Sequence, residues 1–109
     1  MPRLEANFDD TEPGSVGDYT IDFGPNVSTG GSIVTALWSL AVRYVAPGYD
    51  IDPDPASRLD GAPTISGTAV IQRISDLVDG NTYLVTSTAT MEDGEIVILW
   101  CTLSAVAPA

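Results

Sequence analysis

Residues 76–103, DLVDGNTYLVTSTATMEDGEIVILWCTL, constrain the fold more than any other stretch, because they read as a single β-hairpin. Strand side chains alternate between two faces. On that period Tyr83, Val85, Ser87, Ala89 and Met91 share one face, and Leu84, Thr86, Thr88 and Thr90 share the other. Glu92-Asp93-Gly94 supplies the turn, since Gly94 reaches the positive φ that a short hairpin loop demands and Asp93 tolerates the neighbouring position. The return strand carries the unbroken apolar run 96–101, which predicts burial on both faces.

The approach to the hairpin is more specific. Asp79-Gly80-Asn81-Thr82-Tyr83 places a turn just before a tyrosine that opens a strand, after the apolar pair Leu77-Val78. This is the pattern of the tyrosine corner of Greek-key sandwiches, in which the phenol hydroxyl bonds back to upstream backbone. A tyrosine packed at a strand end without that bond is the plainer alternative.

Upstream, Tyr19, Ile21 and Phe23 alternate with Asp18, Thr20 and Asp22 in a half-buried first strand. After a Gly/Ser/Asn loop, residues 32–44 form the longest strand pattern, with Val34, Ala36, Trp38, Leu40, Val42 and Tyr44 on one apolar face and Trp38 as core anchor. Ala36, Leu37, Leu40 and Ala41 also fit a helical stripe, but the recurring β-branched residues favour a strand, which a bulge near Ser39 would bend into a second short strand over 40–44. Residues 64–75 read as one further strand, alternating Thr68, Val70, Gln72 and Ile74 against Ala69, Ile71 and Arg73. The expectation is an all-β, immunoglobulin-like Greek-key β-sandwich of about 6–7 strands over residues 18–109, preceded by an extended N-terminal arm over 1–17. Trp38, Tyr83 and Trp100 are its expected core.

Charge limits the partners. Fifteen Asp/Glu face four Arg, with no Lys and no His, for a formal net charge of −11. Such a chain repels phosphate backbones and anionic lipid, and its arginines (Arg3, Arg43, Arg58, Arg73) form no cluster, so neither nucleic acid nor membrane is expected as a partner. No stretch has the roughly 20 apolar residues of a membrane span or the core of a signal peptide, so folding in a cytoplasm is expected. Cys101, alone, is expected to be a small buried hydrophobe, the sharper alternative being an intermolecular cross-link.

Residues 45–63 make a long Pro/Gly/Asp loop of the kind that tends to be functional or disordered. Asp50, Asp52 and Asp54 at alternate positions are a weak calcium candidate, because carboxylates are hard oxygen ligands. The match to a helical calcium loop fails, since Pro55 replaces the required Gly and Gly61 the bidentate Glu. No metal or other cofactor is therefore expected. Nor is catalysis, because no side chain here both titrates near neutrality and sits where it can attack a substrate. Arm and loop are instead the expected contact regions, with Phe8, Tyr49 and Arg58 as the partner-binding residues.

With the strands placed, a family pattern emerges: Asp18-Tyr19-Thr20-Ile21-Asp22-Phe23, then a strand around Trp38, then Gly67-Thr68-Ala69-Val70, Gly80 to Tyr83, the Thr-rich strand 85–90 and Asp93-Gly94. In these motifs, over residues 18–106, the chain resembles small immunoglobulin-like phage virion proteins of the fiber-tail adaptor kind. The long 45–63 insertion and the acidic arm depart from that pattern. The resemblance implies a non-enzymatic structural subunit in many symmetric copies, assembled in the host cytoplasm and located in the virion. Its partners would be neck, tail, fiber or capsid proteins and copies of itself. A different class of reading is a carbohydrate-binding or adhesin-like module with a glycan ligand. That reading needs aromatic platforms on an open face, and Tyr49 is the one aromatic clearly in a loop.

Overall fold

The computed structural model describes residues 8, 11–24 and 32–106. Among these, six strands form two three-stranded antiparallel sheets: β1 (Val16–Asp22), β2 (Ile33–Val45), β3 (Leu59–Ser66), β4 (Ala69–Ser75), β5 (Asn81–Met91) and β6 (Ile96–Ser104). One sheet runs β1-β4-β3 and the other β2-β5-β6. Strands adjacent in sequence therefore cross repeatedly between sheets, which is the Greek-key wiring of the immunoglobulin sandwich. Trp38 sits on β2, in the position of the buried tryptophan of that fold, and is 3% exposed.

The opening hairpin forms as its period predicts. In β5 every odd position from Asn81 to Met91 is buried and every even one is half-buried. Tyr83 pairs with Leu103, Val85 with Cys101, Ser87 with Leu99 and Ala89 with Val97, so the inner faces of β5 and β6 meet in one core layer. Gly94 takes φ +92° in the turn. The apolar run of β6 behaves differently from expectation: Val97, Leu99, Cys101 and Leu103 are buried, but Ile96 is exposed and Ile98 and Trp100 are half-buried on the outer face. Among the described residues no layer lies beyond this sheet, and a sheet packed on one side buries one face more deeply whatever its sequence. Trp100 is thus not a core residue, whereas Trp38 and Tyr83 are. Cys101 is fully buried.

Two other expectations change. Residues 64–75 are not one strand, because Gly67, at φ +62°, turns the chain between β3 and β4, whose Ser66 and Ala69 pair across the turn. In β2 the register shifts lie between Ile33 and Thr35 and between Val42 and Tyr44, not at Ser39. The first puts Val34 and the second Tyr44 at the surface, 57% and 58% exposed, off the inner face that Ala36, Trp38, Leu40 and Val42 keep.

Of the arm, residues 8 and 11–17 are described, and these belong to the sandwich. Thr11 forms a parallel bridge with Ala105; Phe8 N–H donates to Thr102 C=O (3.2 Å), Thr11 N–H to Ser104 C=O (3.0 Å), and Val106 N–H returns to Thr11 C=O (2.9 Å). These contacts satisfy part of the outer edge of β6, which would otherwise template pairing with another chain. Phe8 then packs as a plug, stacked on Trp38 (centroids 6.4 Å apart, rings within 7° of parallel) and tilted on Tyr19 (5.0 Å). Phe8→Ala is expected to lower stability by about 2 kcal/mol through lost apolar burial and ring contact. Trp38 emission should shift to the red in the same variant. An unchanged emission maximum would show that Phe8 does not shield Trp38.

Candidate functional site

The loop after β2 is held to the sandwich by one buried carboxylate. Ala46-Pro47-Gly48-Tyr49 is a turn with Pro at its second position and Gly48 at φ +87°, closed by Tyr49 N–H to Ala46 C=O (3.1 Å). Beyond it the chain dips inward so that Asp52 is 3% exposed. Arg58, at the end of a single 3-10 turn (Pro55–Arg58), reaches back to Asp52 with both Nε and Nη2 at 3.0 Å, a bidentate fork. Tyr83 OH donates to Asp52 Oδ2 (2.7 Å), and Asp54 N–H donates to Asp52 Oδ1 (2.9 Å). Four donors converge on one carboxylate, which is how a charge becomes tolerable inside a protein.

Tyr83 completes the corner. Its hydroxyl oxygen accepts Val78 N–H at 2.9 Å, the bond back to upstream backbone that the sequence pattern predicts. Asn81 ties the loop down from the same turn: its Oδ1 accepts Asp52 N–H (2.9 Å), and its Nδ2 donates to Asp50 C=O (2.9 Å) and Asp79 C=O (3.1 Å). The Arg58 hydrogen bond is the largest influence drawing the Asp52 pKa down, to about 2, against the opposing effect of burial. Burial pushes the Tyr83 phenol up to about 12.

This network decides the fate of the loop residues singled out above. Asp50, Asp52 and Asp54 do not gather around a common point, and no group of three or more His, Cys, Asp or Glu among the described residues could hold a metal ion. Each Asp52 oxygen already accepts two donors, which leaves it no lone pair for calcium. Arg58, with its side chain 22% exposed, bonds Asp52, and Phe8 packs against Trp38 and Tyr19. Tyr49 is presented, at 49% exposure.

The two outer sheet faces differ in chemistry. Across β1-β4-β3 the row Asp18–Arg73–Asp60 is charged, with Arg73 Nε 3.1 Å from Asp18 Oδ1 at a solvent-exposed position. Across β2-β5-β6 the corresponding rows are Leu37–Thr88–Ile98, Ser39–Thr86–Trp100 and Ala41–Leu84–Thr102. None of these nine residues is ionisable. Leu37 is 69% exposed and Ile96, at the end of the same face, 62%. Among the described residues the cation bordering the rows is Arg43, which lies over the Trp100 ring at 5.1 Å.

Comparison with protein-family models and with curated proteins finds no match. The functional reading therefore comes from these surfaces.

The sequence held the signal for the apolar face, in Leu37, Leu84, Ile96, Ile98 and Trp100, but strand periodicity alone could not say that β6 has one wet side. Tyr44 was hidden for another reason. A strict alternation puts it inward, and only the bulge after Val42 turns it out.

Proposed function

We propose that this chain is a non-enzymatic structural subunit of a bacteriophage particle, an adaptor held at neck, tail or capsid that attaches to its neighbours through the outer face of the β2-β5-β6 sheet. The observation that carries the reading is the absence of any carboxylate from the nine residues of those three rows, in a chain with fifteen acids. A contiguous surface without carboxylates in these rows, with exposed Leu and Ile, marks a place where another protein sits. Its position also suits a charged chain: copies bearing −11 each repel one another wherever carboxylates would face carboxylates, and this face avoids that. The family resemblance of residues 18–106 supports the same assignment, as does the single sandwich with its arm folded back on its own edge.

The test is incorporation. Leu37→Glu with Ile98→Glu puts two charges on the face without touching the core. Coexpressed with the structural proteins encoded beside it, the double variant is expected to sediment with assembled particles at a level at least about tenfold below the parent, while its melting temperature stays within a few degrees. Equal incorporation of variant and parent would remove the face from the attachment. A parent chain absent from every assembled fraction would remove the function.

A further inference from the structure

We propose that the groove beside the tyrosine corner receives the lysine or arginine side chain of a partner protein. The groove encloses about 320 Å³ and is walled by Tyr44, Tyr49, Asp79, Gly80, Thr82 and Ser104. It deepens the attachment reading, on which it rests for the source of the cation.

Two phenol rings are offered to this space, Tyr44 at 58% and Tyr49 at 49% exposure. The Tyr49 ring is fixed before any ligand arrives. One side of it lies against Gly80, so closely that there is no room there for a Cβ. Its backbone is tied by the turn bond to Ala46, and Ala46 N–H is tied to Gly80 C=O at 2.8 Å. A preorganised aromatic surface loses little conformational entropy on binding.

The chemistry of the wall selects the ligand. The faces of tyrosine rings attract cations, and a carboxylate nearby adds a direct opposite charge. Asp79 lies in the wall and carries a carboxylate, no described Arg is in the lining, and the field of a chain at −11 has the same sign. A sugar would need several side-chain hydrogen bonds to fix its hydroxyls, and one of the two hydroxyl donors of Thr82 and Ser104 is taken up by their mutual bond at 2.9 Å. The described cations of the chain are also engaged: Arg43 over Trp100, Arg58 on Asp52 and Arg73 on Asp18. None of these three is the occupant, which we place on another molecule. The Arg43–Trp100 pair shows the same type of contact already used within the fold.

Titration by NMR with an acetylated, amidated arginine tripeptide, and with the same peptide carrying citrulline, tests the groove on the isolated chain. The arginine peptide is expected to give saturable shifts at Tyr44, Tyr49 and Asp79, binding about tenfold more tightly than the citrulline peptide. Tyr44→Ala and Asp79→Asn should each weaken it severalfold, since both side chains reach solvent and the Asp79 backbone bond to Asn81 survives. Equal binding of the two peptides, shifts elsewhere on the surface, or saturation of the groove by neutral oligosaccharides would each overturn the proposal. Because free peptides are used, a groove that binds arginine in a chain that never joins a particle separates the failure of the attachment reading from the failure of this one.

Discussion

Asp52→Asn is expected to lower the stability of the sandwich by about 3 kcal/mol, the scale for removing one partner of a buried ion pair. For a domain of this size that is a fall in melting temperature of roughly 12–20 °C. Asparagine has nearly the same shape, so packing is preserved and the loss is electrostatic. One carboxylate oxygen becomes an NH2 group, and it then points a donor at Arg58, Tyr83 or the Asp54 N–H, all of which are donors themselves. Arg58→Met with Asp52→Asn should be less damaging than the sum of the two single changes, because the double variant buries no unpaired charge. A single Asp52→Asn variant that melts within about 2 °C of the parent would show that the four donors find water instead.

The same carboxylate sets an acid limit. Its folded pKa, about 2, lies below the ordinary 3.8, so its contribution is complete above about pH 4 and is lost as the pH falls through 3.8 toward 2. The displacement corresponds to about 2 kcal/mol. Tyr83 runs the other way. Its folded pKa, near 12, lies above the ordinary 10.0, so its contribution is present below pH 10 and is lost as the pH rises from there toward 12. Urea midpoints measured across pH should therefore fall at both ends, and the acid fall should flatten in Asp52→Asn. An acid fall of unchanged size in that variant would assign it to other carboxylates.

Local chemistry explains what the sequence makes legible. The β5-β6 hairpin, its register and the Tyr83 corner all depend on residues within about twenty-five positions of each other, and on two signals a sequence carries openly, period-two burial and a glycine turn. The sandwich follows from them. The loop is opaque because its logic is not local: Asp52 meets Tyr83 and Asn81 across 31 and 29 residues. Read along the chain, Asp50, Asp52 and Asp54 are three equal ligands. In the fold, Asp52 is buried while Asp50 and Asp54 stay at the surface. Gly67 was overlooked for a related reason, since a two-residue turn inside a run of β-branched residues leaves the alternation almost undisturbed. The groove was legible only in part. Tyr49 could be placed in a loop from its flanking Pro47-Gly48, but its platform needs Gly80, 31 positions away.

Gly80→Ala should be the second large loss, at about 3 kcal/mol, and it has two separable parts. Gly80 has φ +78°, a left-handed conformation that costs an alanine about 1 kcal/mol or somewhat more. The added methyl would also lie far inside van der Waals contact distance of Tyr49 Cγ and 2.6 Å from its Cβ and Cδ1. Those atoms are the root of the side chain, so the ring cannot swing aside without moving its backbone. That backbone is held by the turn to Ala46, and Ala46 is in turn bonded to Gly80. The steric part should disappear when Tyr49 is also truncated. Tyr49→Ala/Gly80→Ala is thus expected to be more stable than Gly80→Ala alone, retaining only the backbone part of the loss. Gly80→Ala alone should also lose the arginine-peptide shifts in the groove, because the platform has been lifted from its seat. If the double variant melts no higher than the single one, the ring is not the obstacle, and the glycine is required for its backbone alone.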